Sequence, residues 1–286
     1  MALINSLTSG VSALQTFGKS LEVIGNNIAN VNTTAYKGSR NYNEDNFSDV
    51  LRRSSPSGST SSNTDGMLVG SGVHLGAVRA KFTQGSLKTT GNPTDLGIAG
   101  NGFFLVNDPV SGTQYATRAG DFRMDDQGYL VTNGGYRVQG LTGGTPPSTV
   151  GDIKLGTPPA GTQLESFSID AQGQLTEFYS DGTSAITNQV LMQNYSDPNA
   201  LMSSGNNLFT GMSAAGPIGG ATLTAANNAP GTNGLGSVMQ GTLELSNVDL
   251  TEEFSELITA QRSFQAASRV ITTSDQVLEE IVNLKR

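Results

Sequence analysis

The chain has 286 residues, including 36 glycines and 10 prolines, with 36% hydrophobic and 14% charged side chains, enough for one or two packed domains but dilute in core-forming residues. It has no cysteine, one histidine and a net charge of −8, from 16 Lys+Arg against 24 Asp+Glu. These counts exclude disulfides, thiolate nucleophiles and cysteine-built zinc or iron–sulfur sites, and they oppose binding to nucleic acid or anionic membrane, which needs a basic footprint.

At the N-terminus the first basic residue is Lys19 and no long apolar run precedes it. A cleavable secretory signal is therefore not expected, and export would take another route. No run approaches the roughly 20 apolar residues of a membrane span, so membrane insertion is not expected. Leu7, Leu14, Leu21 and Ile28 fall seven apart, with Val11, Phe17, Ile24 and Val31 beside them, the stripe of an amphipathic helix. Gly10, Gly18 and Gly25 interrupt it, each at about 1 kcal/mol relative to alanine, so this helix needs a partner to order it. The stripe ends near Asn30 in a run containing Asn26, Asn27, Asn30 and Asn32. Such residues are poor in helices and good in caps and turns. They read equally as a helix terminator or as amides that bond a neighbouring subunit.

Residues 54–66, SSPSGSTSSNTDG, cannot bury a core and read as a flexible connection. Beyond them, short apolar or alternating runs at Gly102–Val106, Tyr129–Thr132, Phe167–Ile169 and Ala185–Met192 are punctuated by Asn-Gly, Asp-Gly and Gly-Gly pairs, as in an antiparallel meander or small barrel. FRMDDQGYL from Phe122 and FSIDAQGQL from Phe167 share Phe, Asp, Gly and Leu at equal offsets and predict two related hairpins. Residues 211–240 return to Gly, Ala, Asn and Pro and read as loop. At the C-terminus Leu250, Leu257, Phe264, Ile271 and Leu278 form the strongest periodic signal, flanked by Phe254, Ile258, Val270, Val277, Ile281 and Leu284. Asp249 and Glu252 resemble a capping box, and Lys285 and Arg286 suit the other end of the helix dipole. The fold class expected is α+β: long, paired, coiled-coil-like terminal helices and a central, mainly antiparallel β domain. The boundaries expected are 1–40 for the N-terminal helix, 41–71 for an extended linker, 72–199 for a β-rich domain, 200–242 for a return linker and 243–286 for the C-terminal helix.

Enzyme chemistry finds little support. A Ser-His-Asp site would have to be built on His74 alone, and Gly70, Gly72 and Gly76 fit neither dinucleotide nor Walker spacing. Asp125, Asp126 and Asp170 lie in the repeated hairpin unit, where turn geometry explains them, and no 12-residue calcium loop is complete. No catalytic residue, metal or cofactor is expected. Two long apolar stripes joined only to each other leave surface unburied, and an open head-to-tail contact between copies would cover it in a helical filament.

NNIANVNTTAYK from Asn26 to Lys37 resembles the axial protein family of the bacterial flagellum, which includes rod and hook subunits. The resemblance continues through FTQGSLKTTGNPTDLGIAGNGFFLV (Phe82 to Val106), YATRAGDFRMDDQGYLVTNGGYRVQG (Tyr115 to Gly140) and LSNVDLTEEFSELITAQRSFQAASRVITTSDQVLEEIVNLKR (Leu245 to Arg286). Ala35 stands where that family often has glycine. Within the family the chain looks most like a short hook protein, with a distal rod subunit as the alternative. The resemblance implies a non-enzymatic subunit of the hook and basal body, outside the cytoplasm, polymerising into a curved torque-transmitting tube. Its implied partners are copies of itself, the distal rod protein, a hook cap, hook–filament junction proteins and the flagellar type III export apparatus. The assembly interface expected is Leu7, Leu14, Leu21, Ile28, Asn30, Asn32, Thr33, Tyr36, Leu250, Leu257, Phe264, Ile271 and Leu278.

Overall fold

The computed structural model of the chain describes residues 2–54, 63, 65–144, 147–155, 163–220 and 222–284. The α+β class holds, with long terminal helices and an antiparallel β domain. The chain divides into two compact units, each assembled from separated stretches of sequence.

The first unit comprises Met1–Ala29, Ser39–Lys81 and Asp249–Arg286. Its N-terminal helix, Ala2–Ala29, lies antiparallel to its C-terminal helix, Leu250–Leu284. Ser6 Oγ meets Ser274 Oγ at 3.2 Å at one end, and the Asn27 side chain meets the Glu253 carboxylate at 3.1–3.2 Å at the other. The seven-residue step expected for the C-terminal helix is present, but its buried phase is Glu253, Ala260, Ala267 and Ser274. Small side chains at this seam let the helices approach closely. A Cβ added at Gly10 would lie 2.9 Å from Ile271 Cγ1, so this glycine is required by contact. Gly18 and Gly25 have nothing within 4 Å of an added Cβ.

Four strands between Ser39 and Ala80 form a two-part β ribbon in the same unit. Strand β1 (Ser39–Asp45) pairs with β4 (Val73–Ala80), and β2 (Ser48–Arg52) pairs with β3 (Met67–Gly70), both antiparallel. The ribbon is fastened to the N-terminal helix where the Val73 amide donates to Ser12 Oγ at 3.3 Å. Gly72, at φ +109°, passes so close to Ser12 that a side chain has no room. Residues 41–71 thus carry strands where the sequence reads as linker; β2 and β3 are exposed throughout and flank the Ser-rich run. Of that run, only Ser54, Asn63, Asp65 and Gly66 lie among the described residues, so the flexible connection expected there falls mostly outside them.

The second unit comprises Asn30–Gly38 and Phe82–Val248. Its strands are β5 (Leu87–Thr89), β6 (Leu96–Ala99), β7 (Phe103–Asn107), β8 (Gln114–Thr117), β9 (Arg123–Met124), β10 (Leu130–Val131) and β11 (Arg137–Thr142). They continue with β12 (Thr149–Asp152), β13 (Leu164–Ile169), β14 (Gln174–Tyr179), β15 (Ser184–Val190), β16 (Met192–Tyr195), β17 (Met202–Ser203), β18 (Leu208–Thr210), β19 (Pro217–Ile218), β20 (Ser237–Gln240) and β21 (Thr242–Glu244). The main sheet runs β13-β14-β15-β11-β7-β8-β18-β17, while β20 pairs with β6 and β21 with β5. Strand β7 is buried on both faces because alternate side chains enter two cores. Phe104 and Val106 join Leu96, Ile98, Phe122 and Leu130, whereas Phe103 and Leu105 join Leu141, Leu191, Tyr195 and Phe209.

The two hairpins predicted from the repeated sequence have matching geometry. Asp125 Oδ1 accepts from the Gln127 and Tyr129 amides at 3.0 and 2.7 Å; Asp170 Oδ1 accepts from Gln172 and Gln174 at 3.0 and 2.8 Å. Gly128 and Gly173 close the two turns at φ +87° and +74°. These carboxylates are turn ligands of their own backbone. Residues 211–240, read as loop, include β19, a single helical turn at Ala225–Asn228 and β20, because Gln240 and its neighbours complete the edge of β6.

Candidate assembly interface

The C-terminal helix buries its small seam and leaves its large apolar side chains outside. Leu250, Phe254, Ile258, Phe264, Val270, Val277, Ile281, Val282 and Leu284 are exposed, while Leu257, Ile271 and Leu278 are half-buried. On the N-terminal helix Leu7, Leu14, Leu21 and Ile28 are half-buried and Val11 is exposed. A helix of 35 residues, about 50 Å long, therefore carries apolar surface that its own unit leaves in water, where each large side chain forgoes about 1.5–3 kcal/mol of burial.

The ribbon adds to this surface. Phe47 is 95% exposed, and Val50 and Leu51 on β2 and Met67, Leu68 and Val69 on β3 are exposed too. Exposed apolar strands of this kind are templates for contact with another chain. Beside β1 a groove of about 300 Å³ is walled by Phe17, Ile24 and Ala260 and rimmed by Asn41 and Glu256. Asn41 Oδ1 is buried there without a hydrogen-bond partner.

Polar contacts fix the helix pair and the ribbon in one register. Asn27 is buried; its amide donates to Ser39 O and accepts from Ser39 N, both at 2.9 Å, besides donating to Glu253. Burial pushes the Glu253 carboxyl upward, against the donation from Asn27. Arg40 bridges Glu252 at 2.5 Å and Glu256 at 3.2 Å, and the Glu252 hydrogen bond raises the guanidinium further. Glu252 is thus engaged with Arg40, and the capping of Asp249 consists of its Oδ1 accepting from the Thr251 amide at 2.8 Å. Lys285 and Arg286, expected at the helix C-terminus, lie outside the described residues.

The other expected residues fall in the second unit, in the strap Asn30–Gly38. Asn30 closes a turn, its backbone oxygen accepting from Thr33 N and its Oδ1 from Thr33 Oγ1, both at 3.0 Å. Asn32 is exposed, and Thr33 and Tyr36 are half-buried. Ala35 is 1% exposed and sits at φ +55°, the left-handed conformation that glycine prefers, with its amide donating to Glu244 O at 2.8 Å. Lys37 is buried against Glu244. Sequence reasoning offers Asn27 as a helix terminator or as an amide bonding a neighbouring subunit, whereas the structure buries it against Ser39 and Glu253 of its own unit. It does not single out Lys37, Arg118 or Glu244; the available signal was, for Lys37, a lysine closing the quoted motif. His74 lies on β4, half-exposed, 3.8 Å from the Glu44 carboxylate. Among the described residues no cluster of three metal-ligating side chains occurs and no helix is long and apolar enough to cross a membrane.

An arrangement of exposed apolar helices and strands with satisfied polar turns suits association rather than turnover. Comparison with known proteins agrees. Residues 7–37 match the family model "Flagella basal body rod protein", residues 97–177 "Flagellar hook protein FlgE/F/G D1 domain" and residues 239–284 "Flagellar basal body rod FlgEFG protein C-terminal". The chain is 39% identical over 284 residues to the flagellar basal-body rod protein FlgG of Bacillus subtilis, covering 99% of this chain and 100% of that protein. It is 35% identical over 287 residues to the FlgG of Caulobacter vibrioides, covering 100% of both. The flagellar hook protein FlgE of Helicobacter mustelae is 44% identical, but over 139 residues, 48% of this chain and 31% of that protein. The relatives matched from end to end are named as rod proteins and the hook protein is matched over part of its length, so the chain belongs to the flagellar basal-body rod and hook protein family.

Proposed function

We propose that this protein is a structural subunit of the flagellar basal-body rod, in its distal part, polymerising into a straight tube that passes torque outward. The observation that carries this is the end-to-end match to rod proteins, against a hook match over under half of the chain. In this reading the terminal helices form the inner wall, with Leu7, Leu14, Leu21, Ile28, Leu250, Leu257, Phe264, Ile271 and Leu278 meeting neighbouring copies. Asn30, Asn32, Thr33 and Tyr36 of the strap add further contacts between copies. The apolar ribbon tip at Val50, Leu51, Met67, Leu68 and Val69 adds subunit contacts that resist bending, which a straight shaft requires and a flexible joint does not. Partners are further copies, adjoining rod subunits, the first hook subunits and the flagellar export apparatus.

Immunogold electron microscopy of isolated basal bodies, with antibody raised against residues 82–248, tests the placement. Label confined to the short straight segment within the envelope is expected. Label along the curved segment outside it would restore the hook reading, which the 44% identity over 139 residues favours, and absence from both would reject either.

A further inference from the structure

Three ionic side chains from distant parts of the chain meet inside the second unit. Lys37 Nζ lies 2.6 Å from Glu244 Oε1, and Arg118 Nη1 lies 3.3 Å from Glu244 Oε2. Their side chains are 1%, 0% and 4% exposed for Lys37, Glu244 and Arg118. Glu244 Oε1 also accepts from the Gly85 amide at 2.8 Å, and Lys37 Nζ also donates to Thr83 O at 2.9 Å. The Arg118 guanidinium stands 5.2 Å from the centre of the Phe103 ring, and its Nε is buried without a hydrogen-bond partner. Two cations therefore share one carboxylate, with a net charge of +1 held out of water. Such a cluster is tolerable only while the carboxylate is in place, since removing one member of a buried ionic group leaves the others uncompensated.

The same glutamate holds the strap by its backbone. Glu244 O accepts from Ala35 N at 2.8 Å, Tyr36 O accepts from Asn247 N at 3.3 Å, and Asn247 Oδ1 accepts from Gly38 N at 2.8 Å. Elsewhere the strap is tied by Asn207, whose amide donates to Thr34 O at 2.6 Å. Lys37 arrives from the N-terminal side of the domain, and Glu244 is supplied by its last strand.

We propose that Lys37, Arg118 and Glu244 form an ionic clasp that makes docking of the strap Asn30–Gly38 conditional on the arrival of Glu244, so that the strap stays undocked in any chain whose C-terminal part has not yet joined the domain. Before Glu244 arrives, docking would bury Lys37 beside Arg118 with no counter-charge. Afterwards, one carboxylate neutralises part of that repulsion and its backbone closes the strap in the same step. A chain delivered progressively would thus keep residues 30–38 free until it is nearly whole. The clasp does not rest on the placement proposed above.

Hydrogen exchange on the full-length monomer at neutral pH tests it. In Glu244→Gln the buried Lys37 and Arg118 lose their shared counter-charge, and protection of the Ala35 and Gly38 amides should fall at least tenfold while that of the Leu105 and Val106 amides in the core stays within about twofold. Lys37→Met/Glu244→Gln removes the buried amine as well and should recover most of the lost protection, although it carries one more substitution. Ala35 protection unchanged in Glu244→Gln, equal loss at strap and core, or no recovery in the double variant would each overturn the clasp. Should Glu244→Gln fail to fold, Glu244→Asp keeps the charge on a shorter arm. Partial strap protection over an intact core then supports the proposal, and core loss overturns it.

Discussion

Ala35 occupies a backbone conformation that costs an L-residue about 1–2 kcal/mol, and it does so almost fully buried. Glycine would relieve that strain but would give up a buried methyl, about 0.8 kcal/mol, and add about 0.4–1 kcal/mol of unfolded-state entropy. The terms nearly cancel, so Ala35→Gly should leave stability within about 0.5 kcal/mol of the parent. Ala35→Val should lose at least about 2 kcal/mol, because a β-branched side chain is an outlier at φ +55° and has no space to grow. Urea unfolding of the three proteins checks both. The sequence flagged this position through its departure from glycine, yet the sign of φ depended on the amide reaching Glu244 O, which no local pattern encodes. The turn aspartates were more legible, because Asp125 and Asp170 bond amides two and four residues away, and local chemistry is written locally. The ionic cluster lies at the other extreme: its members are separated by 81 and 126 positions, from 118 − 37 and 244 − 118.

At the scale of elements, both terminal helices were legible from their seven-residue spacing, but the partner of each face was not. Periodicity reports which residues are apolar, whereas the seam within the unit is chosen by closeness of approach, and that favours Ala260, Ala267 and Ser274 over their larger neighbours. The three glycines of the N-terminal helix separate on the same ground. Gly18→Ala and Gly25→Ala meet nothing within 4 Å and should each stabilise the first unit of the monomer by about 0.5–1 kcal/mol through helix propensity. Gly10→Leu should instead drive the helices apart at Ile271, lowering thermal stability of the helical signal in circular dichroism. If the alanine variants stabilise the monomer yet impair polymerisation, a neighbouring copy packs on those glycines. The β2–β3 ribbon was read as linker because its strands are exposed on both faces. They lack the half-buried alternation by which strands are recognised.

For the molecule as a whole, discontinuity in sequence is the organising fact: each unit is built from pieces that lie far apart along the chain. The sequence marked the central β domain but could not show that the strap 30–38 belongs to it, since the stretch reads as the tail of a helix. Ser39 pairs with Ala80 across the root of the ribbon, so residues 40–79 can be replaced by a short Gly/Ser linker without separating the ends. A chain from Asn30 to Val248 carrying that replacement should be a β-rich monomer in light scattering, while the full chain associates as its concentration rises. Association by the shortened chain would move the polymer contacts onto the second unit. The sparse seam between the terminal helices has a further consequence. Two rods pressed together on glycine, alanine and serine make a slender stave, and a cylinder can be coopered from more slender staves than stout ones for a given bore. In the proposed tube the bulky residues left on the flanks would be the caulking between staves, so that circumference and tightness would be set by different residues on the same helix.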